Sequence, residues 1–158
     1  MKHQNLDIAL TVKTLNKILE LELAGVVRYT HYSLMVYGYN RIPICAWLKD
    51  NALESLNHAH KAGEMITMLG GHPSLKIGDL LETEKHNIAD ILQESLQHEQ
   101  NSLNGYYELF KIVEGKSITL EEYAREMIVA EELHHDEVDK MLRHSGKLEV
   151  FNESDALI

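Results

Sequence analysis

Proline occurs at only two positions, Pro43 and Pro73, and both fall between long stretches of helical periodicity. A chain this free of helix breakers, with apolar residues recurring every three to four positions, is constrained to long amphipathic helices. The first segment, about residues 6–37, aligns Leu15, Leu19, Val26 and Tyr29 on one stripe before YGYN breaks it. Pro43 suits the first turn of a second helix. That helix runs to about residue 69, with Trp47, Ala62, Met65 and Leu69 on one side. GGHP then stops it, as glycine followed by proline should. A third segment, about 84–114, carries Ile88, Leu92, Leu103, Tyr106 and Phe110 on its stripe. After GKS turns the chain, TLEE opens the fourth, where Thr119 and Glu122 have capping-box spacing. It runs to about residue 144, with Leu120, Met127, Val138 and Met141 inside. The expected fold class is all-α: four helices in a single domain, 1–158, with a short tail from about residue 145.

The links set the topology. Those between helices 1 and 2 and between 3 and 4 are short, so each pair should be antiparallel. The link over 70–83 spans about 45 Å at roughly 3.3 Å per residue. A helix over 43–69 is roughly 40 Å long at 1.5 Å per residue. The link is therefore long enough to cross the whole bundle and leave helices 2 and 3 parallel.

Each stripe is interrupted near its middle by polar residues. On helix 4, Glu131 and His134 fill the gap between Met127 and Val138, while Glu132 and His135 lie about 100° further round, towards solvent. On helix 1 the gap holds Glu22, and on helix 3 it holds Glu99. Helix 2 carries Glu54 and His58 near the face of Ala62 and Met65. All six are near mid-helix, so in a bundle of roughly equal helices they meet at one level. Four carboxylates and two imidazoles there would be far too costly as bare charges in a low-dielectric core. Two divalent cations would neutralise the carboxylates and use both imidazoles. Oxygen and nitrogen donors without thiolate suit iron or manganese. A single Glu-x-x-His alone reads as surface; four stripe gaps at one height carry the argument. His31, His86, His98 and His144 read as surface or partner-facing, and Tyr106 and Tyr107 as core and edge. Tyr29, two turns after Glu22, reads equally as a ligand's hydrogen-bond partner or as plain core.

Composition excludes other classes. The net charge of −10 and the lack of a basic N-terminal arm argue against a nucleic-acid partner. No apolar run is long enough to span a bilayer, and "MKHQNLDIALTVKTLN" lacks the continuous apolar run of a signal peptide. One cysteine, Cys45, permits no internal disulfide and fits the cytoplasm.

Four stretches, "LNKILELELAGVVRYTHY", "ALESLNHAHKAGEMITMLGGHP", "LQHEQNSLNGYYEL" and "IVAEELHHDEVDKML", resemble the bacterioferritin branch of the ferritin superfamily over residues 10–143. The resemblance implies a ferritin-like bundle with one long crossover, in a cytoplasmic cage subunit. It implies oxidation of Fe(II) by O₂ or H₂O₂ at an intrasubunit di-iron centre, and storage of Fe(III) mineral. It places Glu22, His58, Glu99, Glu131 and His134 on ligand positions. The family's helix 2 glutamate, three residues before the histidine, is Ser55 here. Glu54, four before His58 and still on its face, is taken as the sixth ligand. The family's haem-ligating methionine position is Leu56, which does not support haem there and leaves haem possible only through another residue such as a nearby Met. The fifth helix that lines the fourfold axis of 24-subunit cages is replaced by "SGKLEVFNESDALI". A homo-oligomeric shell of twelve subunits is therefore favoured over twenty-four, with Trp47 and Leu56 as outer apolar residues. The rival readings are a non-cage di-metal oxidase or peroxidase, rubrerythrin-like or manganese-catalase-like, and a non-enzymatic interaction bundle. Absence of rubredoxin-type cysteine pairs counts against the rubrerythrin version.

Overall fold

The computed structural model describes residues 5–80 and 82–152. Residues 1–4 and 81, and the end of the expected tail, 153–158, lie outside the described residues. Four helices form the chain: α1 (Ile8–Met35), α2 (Arg41–Met68), α3 (Ile88–Val113) and α4 (Ile118–Leu142). Asp7 caps α1 by accepting from the Leu10 N–H at 2.9 Å. Pro43 sits in the first turn of α2, where its missing N–H would have been unpaired anyway. Gly70 ends that helix at φ +75°, the left-handed position that favours glycine.

Two helix starts differ from the sequence expectation. The cap of α4 is Ser117, whose hydroxyl accepts from the Leu120 N–H, so Thr119 does not open the helix. Ser117 is reached first after the turn at Gly115, and a capping serine there starts the helix at once. Helix α3 begins at Ile88, not near 84, because Glu84 has φ +57° and cannot continue a right-handed helix.

The apolar stripes meet in two clusters. One joins Leu15, Ile18 and Leu19 of α1, Ala62 and Ile66 of α2, Tyr106, Leu109 and Val113 of α3, and Leu120 and Met127 of α4. The other joins Tyr29 and Tyr32 of α1, Val36 just beyond its end, Cys45, Leu48 and Ala52 of α2, and Ile91 of α3. Trp47, read both on the helix 2 stripe and as an outer apolar residue, is half-buried against this second cluster, its ring 6.3 Å from that of Tyr29.

The crossover runs along α1 in the same direction as that helix. Asn16 donates to the His72 carbonyl and accepts from the Ser74 N–H. The Gly78 N–H donates to the Glu20 carbonyl at 2.8 Å, and buried Arg28 donates to the Leu80 carbonyl. The link thus returns the chain to the end where α2 began, and α2 and α3 run parallel. The chain is all-α, a four-helix bundle with one long crossover between its second and third helices. Beyond α4 the described residues form no fifth helix; the Phe151 N–H folds back onto Asp139 Oδ1 at 2.9 Å.

Candidate metal centre

A polar layer separates the two apolar clusters. Glu22 enters it from α1, His58 from α2, Glu99 from α3, and Glu131 and His134 from α4. Glu22, His58, Glu99 and Glu131 are each at most 6% exposed, while His134 is half-buried. Their donor atoms fall into two groups, Glu22–His58–Glu131 and Glu99–Glu131–His134, each with all donors within 4.8 Å of one another. Glu131 belongs to both.

The contacts are short. His58 Nδ1 lies 2.9 Å from Glu131 Oε1 and 3.4 Å from Glu22 Oε1, and His134 Nδ1 lies 3.8 Å from Glu99 Oε2. Yet Glu131 Oε1 is a buried atom without a hydrogen-bond partner. Donors bound at roughly 2.1 Å and at right angles stand about 3.0 Å apart, so these spacings fit a divalent cation in each group. Behind the donors, Tyr106 donates to Glu22 Oε1 at 2.7 Å and Tyr29 donates to Glu99 Oε1. These hydroxyls orient the carboxylates, as outer partners of metal ligands do.

Electrostatics follow from crowding. Burial pushes the Glu131 carboxyl up to about 9, with Glu22 and Glu99 repelling its charge and His58 opposing the rise. Burial also raises Glu22, against His58 and Tyr106. Burial pulls the His58 imidazole down, but Glu131 and Glu22 outweigh it and hold it at about 10. A charged His58 requires an ionised neighbour, whereas a neutral Glu131 removes much of that support. The pair therefore keeps one proton between them rather than two. His134 is likewise pulled down by burial and held up at about 9, chiefly by Glu99. Glu99 is pushed up by burial but brought down to about 2, mainly by His134 and Glu131.

Glu54 is not brought between the two groups. Its side chain is 44% exposed and stands on the outer nitrogens, Oε2 at 2.8 Å from His134 Nε2 and Oε1 at 3.8 Å from His58 Nε2. A cleft of about 660 Å³ leads to it, lined by Asp50, Leu53, Glu54, Asn57, His58 and Lys61. Ser55 takes the inward position instead and is buried. Leu56 is exposed on α2. Glu132 is exposed and accepts from Tyr107, while His135 is half-buried in a separate recess with Gln93, Gln100 and Phe151.

His98 overturns the surface expectation. It is 2% exposed, and burial takes its imidazole down to about 4. Its ring stands edge-on to Tyr29, 6.2 Å away. A Cβ at Gly25 would lie 2.9 Å from His98 Nε2 and 2.7 Å from Ser55 Oγ, so the glycine lets α1 come close here. The available signal was the spacing Ile91, Ser95, His98, Ser102, a second helical stripe made mostly of small polar residues.

The comparisons with known proteins agree on architecture. The fold is similar to a ferritin-like, diiron-carboxylate protein from Bacillus anthracis str. Ames, with a TM-score of 0.82 at 23% identity over 89% of this chain and all of that one. It is also similar to a dodecameric thioferritin, a bacterioferritin-related protein from Bacteroides fragilis, with a TM-score of 0.79 at 22% identity over 87% of this chain and 86% of that one. No curated protein matches by sequence. At those identities the likeness speaks for the fold alone. A family model for the ferritin-like domain matches residues 12–147, and with that match over most of its length this chain belongs to the ferritin-like family.

Proposed function

We propose that this protein is the subunit of a cytoplasmic iron-storage cage and a ferroxidase, its single domain taking up Fe(II) and converting it to Fe(III). The observation that carries the reading is the shared carboxylate: Glu131 lies in both donor groups, each completed by one further glutamate and one histidine. Iron held there would pass electrons to O₂ or H₂O₂. The chain's own part is to bind, orient and exchange protons. Glu22 and His58 would hold one ion and Glu99 and His134 the other, with Glu131 available to both. Glu54, which lines the cleft together with Asp50, would offer a carboxylate to an entering cation. By contacting His134 Nε2 it also keeps Nδ1 turned inward. Tyr29 and Tyr106 hold the inner carboxylates in place. An acidic chain favours cation entry. The dodecameric neighbour supports a shell of twelve.

The test is stopped-flow oxidation of about two Fe(II) per subunit, the stoichiometry of a two-metal site. Glu131→Ala is expected to abolish the fast phase. Glu132→Ala, a surface change, should leave it within about twofold. Glu54→Ala should slow it without removing it. A fast phase that survives Glu131→Ala and dies in Glu132→Ala would refute the site.

A further inference from the structure

A second group of donors lies well away from the polar layer, where the crossover passes the far half of α1. His31 follows Glu22 by nine residues on that helix, roughly 13 Å along the axis at 1.5 Å per residue. The Glu82 carboxylate reaches both His31 and His86: Oε2 is 3.0 Å from His31 Nε2, and Oε1 is 3.9 Å from His86 Nε2. The three donors lie within 4.8 Å of one another. The imidazole rings are 5.6 Å apart, centre to centre. Both Nε2 atoms are buried and neither has a hydrogen-bond partner. The same signature marks Glu131 Oε1 in the central layer: a nitrogen and an oxygen at hydrogen-bonding distance, 2.9 Å there and 3.0 Å here, without hydrogen-bond geometry. Unlike two histidines lying loosely on a surface, these two share one carboxylate and turn the same nitrogen towards it.

The carboxylate is held in place beforehand. The Glu84 N–H donates to Glu82 Oε1, made possible by the left-handed backbone at Glu84. That hydrogen bond keeps Glu82 below the usual carboxylate range. The next residue is tied as well: Thr83 donates to Glu94, which also accepts from Tyr32 at 2.6 Å.

We propose that His31, Glu82 and His86 bind a divalent first-row transition ion that clamps the crossover onto α1. Two imidazoles and one carboxylate without thiolate suit Zn(II), Fe(II), Ni(II) or Cu(II), and do not suit Mg(II) or Ca(II), which take oxygen. Tetrahedral donors at roughly 2.05 Å stand about 3.3 Å apart, and the observed 3.0 and 3.9 Å bracket that spacing. Three protein donors leave a fourth position for water. The bound ion would join a helix residue to two loop residues some fifty positions later, so its effect falls on the crossover and not on the central layer.

Zn(II) is the probe, added to the full-length protein and measured by equilibrium dialysis and by hydrogen exchange of residues 82–88. The wild type should gain at least tenfold protection in that segment on Zn(II) addition. His31→Ala and His86→Ala should each bind one Zn(II) fewer per subunit and lose the protection, and Glu82→Gln should weaken binding at least tenfold. Glu131→Ala, which alters only the central layer, should keep the protection. Wild-type stoichiometry in both histidine variants, or no protection in the wild type, would show that these side chains make an ion pair and nothing more.

Discussion

Glu131 shows what a single side chain in this bundle must reconcile. It is 2% exposed, lies 2.9 Å from His58, and shares its surroundings with the carboxylates of Glu22 and Glu99. Without metal the cluster relieves its crowding by holding protons. The His58–Glu131 pair keeps one, and His134, raised to about 9, keeps another. Metal ligands bind as their deprotonated forms, so loading at pH 7 should release about two protons per subunit, measurable in a pH-stat with Zn(II). Stability carries the same linkage. A group whose folded pKa is raised stabilises the fold below its unfolded pKa, and that contribution is lost as pH rises through the folded value. The window runs from neutral pH to about 10. The metal-free protein should therefore melt at progressively lower temperature as pH rises from 7 to 10, and Zn(II) loading should flatten that fall. Glu99, brought down to about 2, titrates outside the window. A melting temperature that rises across it in the metal-free protein would contradict the assignment.

At the scale of elements, the crossover is a structural member and not slack chain. Asn16, Glu20 and Arg28 tie it to successive turns of α1. Arg28 is the central fastening. It is 3% exposed, donates to the carbonyls of Leu80 and Glu94, and stands 5.4 Å over the Tyr32 ring. Arg28→Ala would leave both carbonyls without that donor and open a void between α1, α3 and the link. The expected cost is roughly 2–4 kcal/mol of unfolding free energy, read as a lower urea midpoint. Exchange in the crossover at residues 78–80 should quicken first, because the Leu80 carbonyl is the point on the link that Arg28 holds. A variant with wild-type midpoint and exchange would show that the link is held elsewhere.

At the scale of the whole molecule, much apolar surface is left uncovered by one chain. Leu34, Tyr37, Tyr39 and Ile42 are exposed near the α1–α2 turn, as are Val129 and Leu133 on α4 and Leu75 on the crossover. Leu34, Tyr37, Tyr39 and Ile42, close together in sequence around that turn, are candidates for contact with other chains. The proposed closed shell predicts a mass near twelve times that of the subunit by light scattering at micromolar concentration. A monomer or dimer there would remove the storage cage and leave a non-cage di-metal oxidase as the better reading. Among the described residues no helix is long and apolar enough to cross a membrane.

The number of helices, their order and the parallel pair were legible because helical period, proline placement and link length are local quantities. Glu22, Glu99, Glu131 and His134 were legible for a related reason: a charged residue inside an apolar stripe stands out, and equal helix lengths bring such residues to one height. Phase on α2 was harder to read. Its buried stripe runs through Leu48, Ala52, Ser55, Ala59 and Ala62, which puts Ser55 inward and leaves Glu54 at the mouth, a difference of one residue or about 100°. Helix α3 buries two faces, and the second, with His98, is made of small polar residues that carry no apolar signal. The meeting of His31 with Glu82 and His86 was not readable from the chain at all. A loop has no period, so which turn of α1 it lies against is decided only when Asn16, Glu20 and Arg28 bind its backbone and set its register.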